Sequence, residues 1–522
     1  MPPARLASRG VAEASRYAGL AGSLLLAVAA RLGGARSPFH PPMTPRTVFA
    51  GEDGVLLPLC WLLGTALLVG AWVAGRRAVP SARWAYLTAG LWVVPLLATL
   101  PLGSYDIYSY ACQGWQQAAG LDPYSAGVDA LGCPWRAAVS PTWLDSPAPY
   151  GPVFVVVAAG AAKVGGTLTG TVAVLRVVSV LGVALTAACL PVLARRGGVP
   201  LGRAVWLALA CPLVAVHLIS GAHNDAVMVG LLSAALAVIV ARQPPGRSPA
   251  DAARPTPETD RVVSLAGGFG AVEPPAGGVS PGESAGGGPA SSLIRLGLVP
   301  LGLAGVLIGL AVGVKATAVV VLPFAVLAAV PAGSTLRALA RPAIVLVGGA
   351  AAAIAAVSVA SGLGFGWITN LAGSGASVQW TSPPTAVGMT VDLVGSWFGV
   401  DLNAVPVTRV LGIVGLAVVL VVLWWRTRGR DALFGAGLAL AATVLLAPVF
   451  HPWYATWPLA VLAATVRRET RWLIVPGAVA AVLCLPDGYN LALAVKAQGA
   501  LAMTAVLIYL AVRYLRTRRV PR

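Results

Sequence analysis

The feature that most constrains the fold is a succession of fourteen apolar stretches, each of about 13–24 residues, separated by polar or basic segments, most of which are short. An α-helix needs about 20 apolar residues to cross ~30 Å of hydrocarbon. Only 10% of the residues are charged, against about 25% in a soluble domain, and the mean hydropathy is +0.81. The sequence therefore predicts an all-α polytopic membrane protein.

The apolar stretches predict where the helices lie. They cover residues 17–32, 55–74, 84–102, 171–194, 204–219, 225–241, 294–312, 317–330, 344–361, 407–425, 432–447, 454–466, 472–485 and 497–514. The stretch 150–166 is also apolar, but counting it as a crossing would reverse the orientation of every later helix. We therefore predict that it is re-entrant or lies in the membrane interface, with protein around any non-helical backbone.

The distribution of positive charge predicts which side each turn faces. A net charge of +18 could indicate a nucleic-acid partner, but the arginines lie in short turns between apolar runs, which is typical of cytoplasmic loops. Nucleic acid is therefore excluded as a partner. The turns predicted to be cytoplasmic contain Arg76, Arg77, Arg195, Arg196, Arg203, Arg337, Arg341, Arg426, Arg428, Arg430, Arg467, Arg468, Arg471, Arg516, Arg518 and Arg519. Turns 103–152, 221–224, 362–384, 450–452 and 486–490 then face outside.

Residues 242–292 divide the chain into two membrane halves. This segment is rich in Gly, Pro, Ala and Ser and poor in aromatic residues. It cannot bury enough apolar area to offset its chain entropy. We predict an N-terminal membrane half at 1–241 that contains a large outer loop at 103–152, a disordered cytoplasmic linker at 242–292, and a C-terminal membrane half at 293–522.

The outer loop 103–152 is too polar to span a bilayer and contains, near its start, Asp106 flanked by Tyr105, Tyr108 and Tyr110. A carboxylate beside aromatic rings at an interface is partly desolvated, which raises its pKa and suits it to act as a general base. The alternative is that Asp106 caps the following helix. The residues alone leave both interpretations open.

Two cysteines, Cys112 and Cys133, lie in the same loop. They can form a disulfide if the loop faces an oxidising compartment. They can equally be two unrelated small residues, and the sequence does not decide between these possibilities. Asp145, near the end of the loop, is a candidate second acid or metal ligand.

Polar residues at other predicted outer turns are candidate binding groups. His223, Asn224 and Asp225 stand between two apolar runs, where uncompensated polar groups are costly. Capping could explain the last two residues but not His223. Lys315 follows an apolar helix at the same predicted side, where its ammonium can either snorkel to the interface or hold a phosphate.

The turn His451-Pro452-Trp453-Tyr454 opens a later helix at the predicted outer side. An interfacial aromatic belt would account for Trp453 and Tyr454. It does not account for His451, whose imidazole can donate a hydrogen bond to a phosphate or a sugar hydroxyl.

Four motifs together resemble one family. The first is the outer-loop motif, which consists of the runs Y-D-I-Y-S-Y-A-C-Q-G-W, G-L-D-P-Y and W-L-D-S-P-A-P-Y-G-P. The other three are H-N-D-A at 223–226, V-K-A-T at 314–317 and H-P-W-Y at 451–454. The chain resembles the actinobacterial polyprenol-phosphomannose-dependent α-1,6-mannosyltransferases of the MptA/MptB type, which are GT-C membrane glycosyltransferases. The resemblance covers most of the chain outside the two tails and the linker.

This resemblance implies a GT-C-like bundle of about 13–15 transmembrane helices with an outer catalytic loop. It implies an inverting transfer of mannose from polyprenyl-phosphate-mannose to an α-mannan glycolipid, the core of lipomannan and lipoarabinomannan, at the outer face of the plasma membrane. Asp106 corresponds by position to the family's catalytic acid. No obligatory cofactor is predicted, although a divalent cation is possible, and no metal ligand is assigned.

The remaining site residues are assigned by their location. Those expected to bind the donor phosphate are Lys315, His451, His223, Asn224 and Asp225. Those expected to bind the sugar or acceptor are Tyr105, Tyr108, Tyr110, Gln113, Asp145, Tyr150, Trp453 and Tyr454. Two alternatives stay open: a transporter or flippase of the lipid-linked sugar, and a related transferase that uses another sugar such as arabinose.

Overall fold

The chain folds into a bundle of α-helices. The computed structural model describes residues 3–40, 47, 54–243, 297–371, 377–468 and 470–519. Over these ranges there is no β-strand, only an isolated antiparallel bridge between Cys484 and Asn490. The all-α polytopic prediction is confirmed. Almost all of the predicted linker, residues 244–292, lies outside the described residues, so the division into two membrane halves stays a prediction.

The part of the chain before the linker forms a first group of helices. These are α1 (Pro3–Gly33), α2 (Leu56–Gly75), α3 (Ala82–Val93), α4 (Asp106–Ala118), α5 (Val128–Leu131), α6 (Pro152–Gly165), α7 (Leu168–Gly197), α8 (Leu201–Leu209) and α9 (Asp225–Val240). A π-helix at Val214–Ser220 lies between α8 and α9.

The part after the linker forms a second group. These are α10 (Leu298–Val314), α11 (Leu322–Ala328), α12 (Leu336–Ala360), α13 (Gly366–Asn370), α14 (Pro383–Trp397), α15 (Ala404–Thr427), α16 (Ala432–Leu446), α17 (Thr456–Thr465), α18 (Arg471–Val482), α19 (Leu491–Ala494) and α20 (Lys496–Arg519). Short 3₁₀ helices at Ala316–Val321 and Pro452–Ala455 precede α11 and α17.

Five of the described helices, namely α2, α7, α12, α15 and α20, are long and apolar enough to cross a membrane. A sixth crossing arises if α8 and the π-helix form one bent span. Several further apolar helices are shorter. One is α6, whose 14 residues extend about 21 Å. This length is below the hydrocarbon thickness, and the re-entrant placement of 150–166 stays a prediction, as does the count of 13–15 crossings.

The predicted helix at 204–219 is wrong as a continuous element. The chain breaks after α8 and resumes as the π-helix, with a bend of 61° between the two. Pro212 lies in the break, where it can neither donate a backbone hydrogen bond nor fit beside the preceding turn. The predicted helix 84–102 is also too long, because α3 ends at Val93 and passes into a 3₁₀ turn containing Pro95.

The segment 103–152 is held against the bundle by covalent and polar contacts. Cys112 and Cys133 form a disulfide with their Cα atoms 5.5 Å apart. This decides the question that the sequence left open. The Tyr108 hydroxyl donates to the Ala35 carbonyl at 2.6 Å, which ties α4 to the segment that follows α1. The Tyr108 contact holds the first turn of α4, where Asp106 lies, and the disulfide holds the second turn.

Helices α7 and α9 approach each other closely through glycines. A Cβ atom added at Gly182 would lie 2.5 Å from the Ala226 carbonyl oxygen, and one added at Gly230 would lie 2.6 Å from the Gly182 oxygen. Small residues at such crossings are how helices pack tightly in lipid, where no hydrophobic effect drives them together. This contact positions the first turn of α9, which contains Asp225.

We expect Gly182→Ala to lower the free energy of unfolding by about 1–3 kcal/mol, because the added methyl must push α7 away from the α9 backbone. The measurement is equilibrium unfolding in detergent. The matched control is Gly160→Ala on α6, where an added Cβ meets nothing within 4 Å. We expect the control to be neutral or stabilising by about 0.4–1 kcal/mol. Equal effects of the two substitutions would contradict this account of the packing.

Candidate functional site

A cleft of about 70 Å³ opens above the first turn of α4. Its walls include Asp106, Trp143, His451 and Trp453, together with residues that precede α14 and α19. Segments far apart in sequence therefore meet around one carboxylate. The structure brings Asp106 and the predicted 451–454 turn into a single site.

Asp106 is the first residue of α4, and its side chain does not cap the helix. Its Oδ1 accepts a hydrogen bond from Trp143 Nε1 at 3.0 Å. Its backbone N–H donates to Ser104 Oγ at 3.0 Å, so Ser104 provides the capping contact. The capping alternative for Asp106 is therefore wrong. Its side chain is 15% exposed and faces the cleft.

Burial raises the pKa of Asp106 to about 6, because desolvation disfavours the carboxylate. The hydrogen bond from Trp143 and the positive charge of Lys315 partly offset that increase. A carboxyl group with this pKa is mostly ionised at neutral pH and still basic enough to accept a proton. Its environment therefore suits a general base.

Trp453 lies between two histidines. Its ring is 4.0 Å from the His223 ring and 4.5 Å from the His451 ring, with interplanar angles of 22° and 6°. Both faces of the indole are therefore covered by imidazoles, and a sugar could reach only its edge. The predicted role of Trp453 in sugar binding is untested, but this stacking favours a role in spacing the two histidines.

Both of these histidines are neutral at physiological pH. Burial lowers the pKa of His451 to about 3 and lowers that of His223 well below its usual range, and the nearby charge of Lys315 acts in the same direction. Gln379 Nε2 lies 3.2 Å from His451 Nδ1, an arrangement that leaves the imidazole proton on Nε2. His451 can therefore donate a hydrogen bond into the cleft without carrying charge.

His223 connects the acid to the aromatic cluster. Its Nδ1 lies 3.4 Å from the Tyr110 hydroxyl and 3.8 Å from Asp106 Oδ2. Because the imidazole is neutral, the longer contact is not an ion pair. Tyr110 in turn packs edge-on against Tyr150, with ring centroids 5.2 Å apart. The predicted residues Tyr110 and Tyr150 thus form a wall behind His223.

His217 belongs to the same cluster, and the sequence did not single it out. It is fully buried in the π-helix, with its ring 5.8 Å from that of His223 and 5.2 Å from that of Trp453. Gly103 makes room for it, since a Cβ atom there would lie 2.5 Å from His217 Cε1. A histidine inside an apolar membrane stretch is itself an indication of function, and that pattern could have identified it.

Lys315, Asp225 and Trp457 form the second part of the site. Lys315 Nζ lies 2.9 Å from Asp225 Oδ1, and Trp457 Nε1 donates to the same oxygen at 2.6 Å. The ammonium also lies 4.3 Å from the centroid of the Tyr454 ring, a cation–π contact. Lys315 is therefore held by a carboxylate and by aromatic rings rather than snorkelling, and its side chain stays 14% exposed.

Several buried polar atoms beside this pair lack a hydrogen-bond partner within the described part of the chain. They include both amide atoms of Asn224, both ring nitrogens of His217, Nε2 of His223 and Oδ2 of Asp225. Asn224 precedes α9 without a capping side-chain contact. Leaving such groups unpaired costs about 1–3 kcal/mol each, so their clustering indicates a place where a polar ligand is bound.

Other predicted residues lie elsewhere. The hydroxyls of Tyr105 and Tyr108 contact the backbone of Arg36 and Ala35, so these side chains hold the segment after α1, although Tyr105 also borders the cleft. Gln113 is buried one helical turn beyond Tyr110, and its Nε2 is unpartnered in the described region.

Asp145 is exposed and does not line the cleft. Within the described ranges, no group of three His, Cys, Asp or Glu side chains could hold a metal ion. The assignments of site residues and the question of a cation stay predictions.

The chain is similar to known proteins over most of its length. The family described as "Alpha-(1->6)-mannopyranosyltransferase, N-terminal domain" matches residues 16–331, and the family described as "MptB C-terminal domain" matches residues 384–513. No solved structure matches the chain.

Individual relatives come from mycobacteria and corynebacteria. The alpha-(1->6)-mannopyranosyltransferase Rv1459c of Mycobacterium tuberculosis is 32% identical, and the alignment covers 87% of this chain and 79% of the relative. Alpha-(1->6)-mannopyranosyltransferase A of the same organism is 30% identical, with 90% and 84% covered. Alpha-(1->6)-mannopyranosyltransferase B of Corynebacterium glutamicum is 30% identical, with 87% and 73% covered.

The buried ion pair can be tested with Asp225→Asn, Lys315→Met and the double variant. Each single change leaves a desolvated charge without its partner, so we expect each to lower the free energy of unfolding by about 3–5 kcal/mol. The double variant removes both charges, and we expect its loss to be smaller than the sum of the two single losses. Equilibrium unfolding in detergent gives the free energy of unfolding of the wild type, the two single variants and the double variant. Additive losses would show that the two charges do not depend on each other.

Proposed function

The chain belongs to the α-(1→6)-mannopyranosyltransferase family, and from this premise we propose that it transfers mannose from polyprenyl-phosphate-mannose to a growing α-1,6-mannan glycolipid. Mannosyl transfer follows from the family. The lipid-phosphate donor and the lipomannan acceptor are the finer parts of the proposal. They are supported by the position of the site within a membrane bundle and by the polar cluster beside Asp106.

The proposed reaction is a single displacement at the anomeric carbon. The acceptor 6-hydroxyl oxygen forms a bond to C1 of mannose while the bond from C1 to the phosphate oxygen breaks. The electron pair of the broken bond leaves with the polyprenyl phosphate. The hydroxyl proton passes to a base on the enzyme. A β-linked donor thus gives an α-linked product with inversion.

Asp106 is the proposed base. Its carboxylate lines the cleft. Trp143 donates a hydrogen bond to Oδ1 and so orients the group, while Oδ2 lies near His223. Its raised pKa supports proton transfer near neutral pH. This carboxylate is the observation that carries the proposed mechanism.

Lys315 and His451 are the proposed groups for the donor phosphate. An anionic leaving group needs charge stabilisation more than it needs a proton. Lys315 supplies a positive charge, and the neutral imidazole of His451 supplies a hydrogen bond from Nε2. His223 and Asn224, next to Asp225 in the sequence, have buried atoms without a hydrogen-bond partner among the described residues. These groups fit a phosphate and the sugar hydroxyls next to it.

We place the active site at the outer face of the plasma membrane. The ten residues of α17 separate the 451–454 turn from the basic turn that begins at Val466, so the site and the arginines lie at opposite ends of this helix. Basic turns favour the cytoplasmic side. The disulfide between Cys112 and Cys133 in the same segment as Asp106 fits an oxidising compartment.

Asp106→Asn tests the proposed base. Asparagine has nearly the same shape as aspartate, and its amide oxygen can still accept a hydrogen bond from Trp143. It cannot take up the proton of the acceptor hydroxyl. We therefore expect transfer to fall at least about 100-fold while the protein level and thermal unfolding stay unchanged. The assay incubates membranes with radiolabelled polyprenyl-phosphate-mannose and a short α-1,6-mannoside and follows label into the longer oligomannoside.

The control is Asp129→Asn, which removes an acid from the same segment and breaks an exposed ion pair with Arg136. Exposed pairs contribute little to stability, so we expect near-normal activity of Asp129→Asn.

Near-normal activity of Asp106→Asn would place the base elsewhere. Label that crosses sealed vesicles without entering a glycoside would instead support a flippase.

The dependence of the transfer rate on pH provides a separate test. Because the base acts when ionised and its pKa is about 6, we expect the rate to fall below neutral pH and to reach about half its plateau near pH 6. Trp143→Phe removes a hydrogen bond that stabilises the carboxylate. Its pKa should therefore rise, and the acid limb of the rate profile should move to higher pH. An unchanged acid limb would contradict the contact between Trp143 and the base.

A further inference from the structure

A second, larger cleft lies at the other end of α17 from the candidate site. Its volume is about 690 Å³, within the range of roughly 300–1,000 Å³ typical of ligand pockets. Four arginines line it, namely Arg76, Arg77, Arg203 and Arg471. They come from the turn after α2 and from the first turns of α8 and α18, so the cleft lies where helices end.

Three of these arginines keep their positive charge free of acidic partners among the residues that the structure describes. Arg203 is held by main-chain oxygens, because Nη1 donates to the Arg467 carbonyl at 2.9 Å and Nη2 to the Val466 carbonyl at 2.6 Å. Its Nε is buried and unpartnered within the described ranges. In the same ranges, Arg76 and Arg77 form no ion pair with an acidic side chain. The cleft is therefore positioned and charged to receive an anion.

An apolar groove adjoins the basic cleft. Arg471 borders both, and the groove continues along Trp472, Leu510 and Tyr514 between the start of α18 and the last turns of α20. The side chains of Trp472 and Leu510 are 70% and 50% exposed. Exposed tryptophan and tyrosine at helix ends are typical of the membrane–water interface. A basic cleft beside such a groove matches a molecule with an anionic head and an apolar tail.

We propose that this surface binds an anionic diacyl phospholipid, with its phosphate in the arginine cleft and an acyl chain along the Trp472 groove. Guanidinium groups pair with phosphate oxygens through two parallel hydrogen bonds, and basic pockets between membrane helices bind lipid head groups. The site is separate from the Asp106 cleft. The inference therefore stands whether or not the proposed transfer reaction is correct.

Native mass spectrometry of the delipidated full-length protein tests the proposal, with phosphatidylglycerol and phosphatidylcholine of identical chains as probes. We expect clear preference for phosphatidylglycerol. Arg76→Gln/Arg77→Gln should weaken its binding about thirtyfold at low salt, because each arginine near a membrane surface contributes about fivefold. The matched control is Arg337→Gln/Arg341→Gln, which removes two exposed arginines from the start of α12 and should leave binding unchanged.

Two further measurements separate lipid binding from simple charge attraction. Trp472→Ala keeps all the arginines, and we expect it to weaken phosphatidylglycerol binding severalfold by removing the wall of the apolar groove. Inorganic phosphate at the same concentration should not displace the lipid. The proposal is wrong if phosphate displaces the lipid, if both double variants lose binding equally, or if the wild type does not distinguish the two lipids.

Discussion

One carboxylate oxygen, Oδ1 of Asp225, holds the candidate site together. It accepts from Lys315 at 2.9 Å and from Trp457 at 2.6 Å, and Asp225 is fully buried. A desolvated charge is costly unless it is paired and hydrogen-bonded, so the three groups must stay together. They belong to the start of α9, the segment after α10, and α17. This contact therefore fixes the relative positions of three helices, and through the stacking of Tyr454 on Trp457 it also fixes the 451–454 turn.

The break between α8 and the π-helix depends on contacts other than those of Asp225. Arg176, on α7, donates through Nε and Nη2 to the Ser220 carbonyl at 3.2 and 3.0 Å, and Ser220 Oγ accepts from the Leu102 backbone N–H. These contacts hold the end of the π-helix and so set the position of His217. They come from residues about 40–120 positions away in sequence. The apolar run 204–219 indicated helical structure, but Pro212 was its only local indication of a break, and the π geometry could not be predicted from it.

The contrast between local sequence signals and contacts from distant residues also explains which candidate site residues could be predicted. His223, Lys315 and His451 are polar residues beside apolar runs, and the cost of burying them singled them out as candidates. Asp106 lies in a polar loop and was assigned from its motif. The aromatic residues carried no such information. Tyr105 and Tyr110 come from one short motif, yet one contacts the backbone after α1 and the other contacts His223. A tyrosine can serve either purpose, and only the packing of α1 against the rest of the bundle decides between them.

The pairing of Lys315 has a consequence for the proposed reaction. If the donor phosphate binds Lys315, it must share the ammonium with Asp225, whose second oxygen lacks a partner in the described part of the site. Binding interactions accelerate a reaction only when they strengthen toward the transition state. Negative charge on the phosphate grows as the bond to C1 breaks, so its attraction to the ammonium grows while that of Asp225 stays constant. The ammonium therefore favours the departing phosphate over the intact donor. Asp225, whose charge does not change during the reaction, holds Lys315 in place throughout.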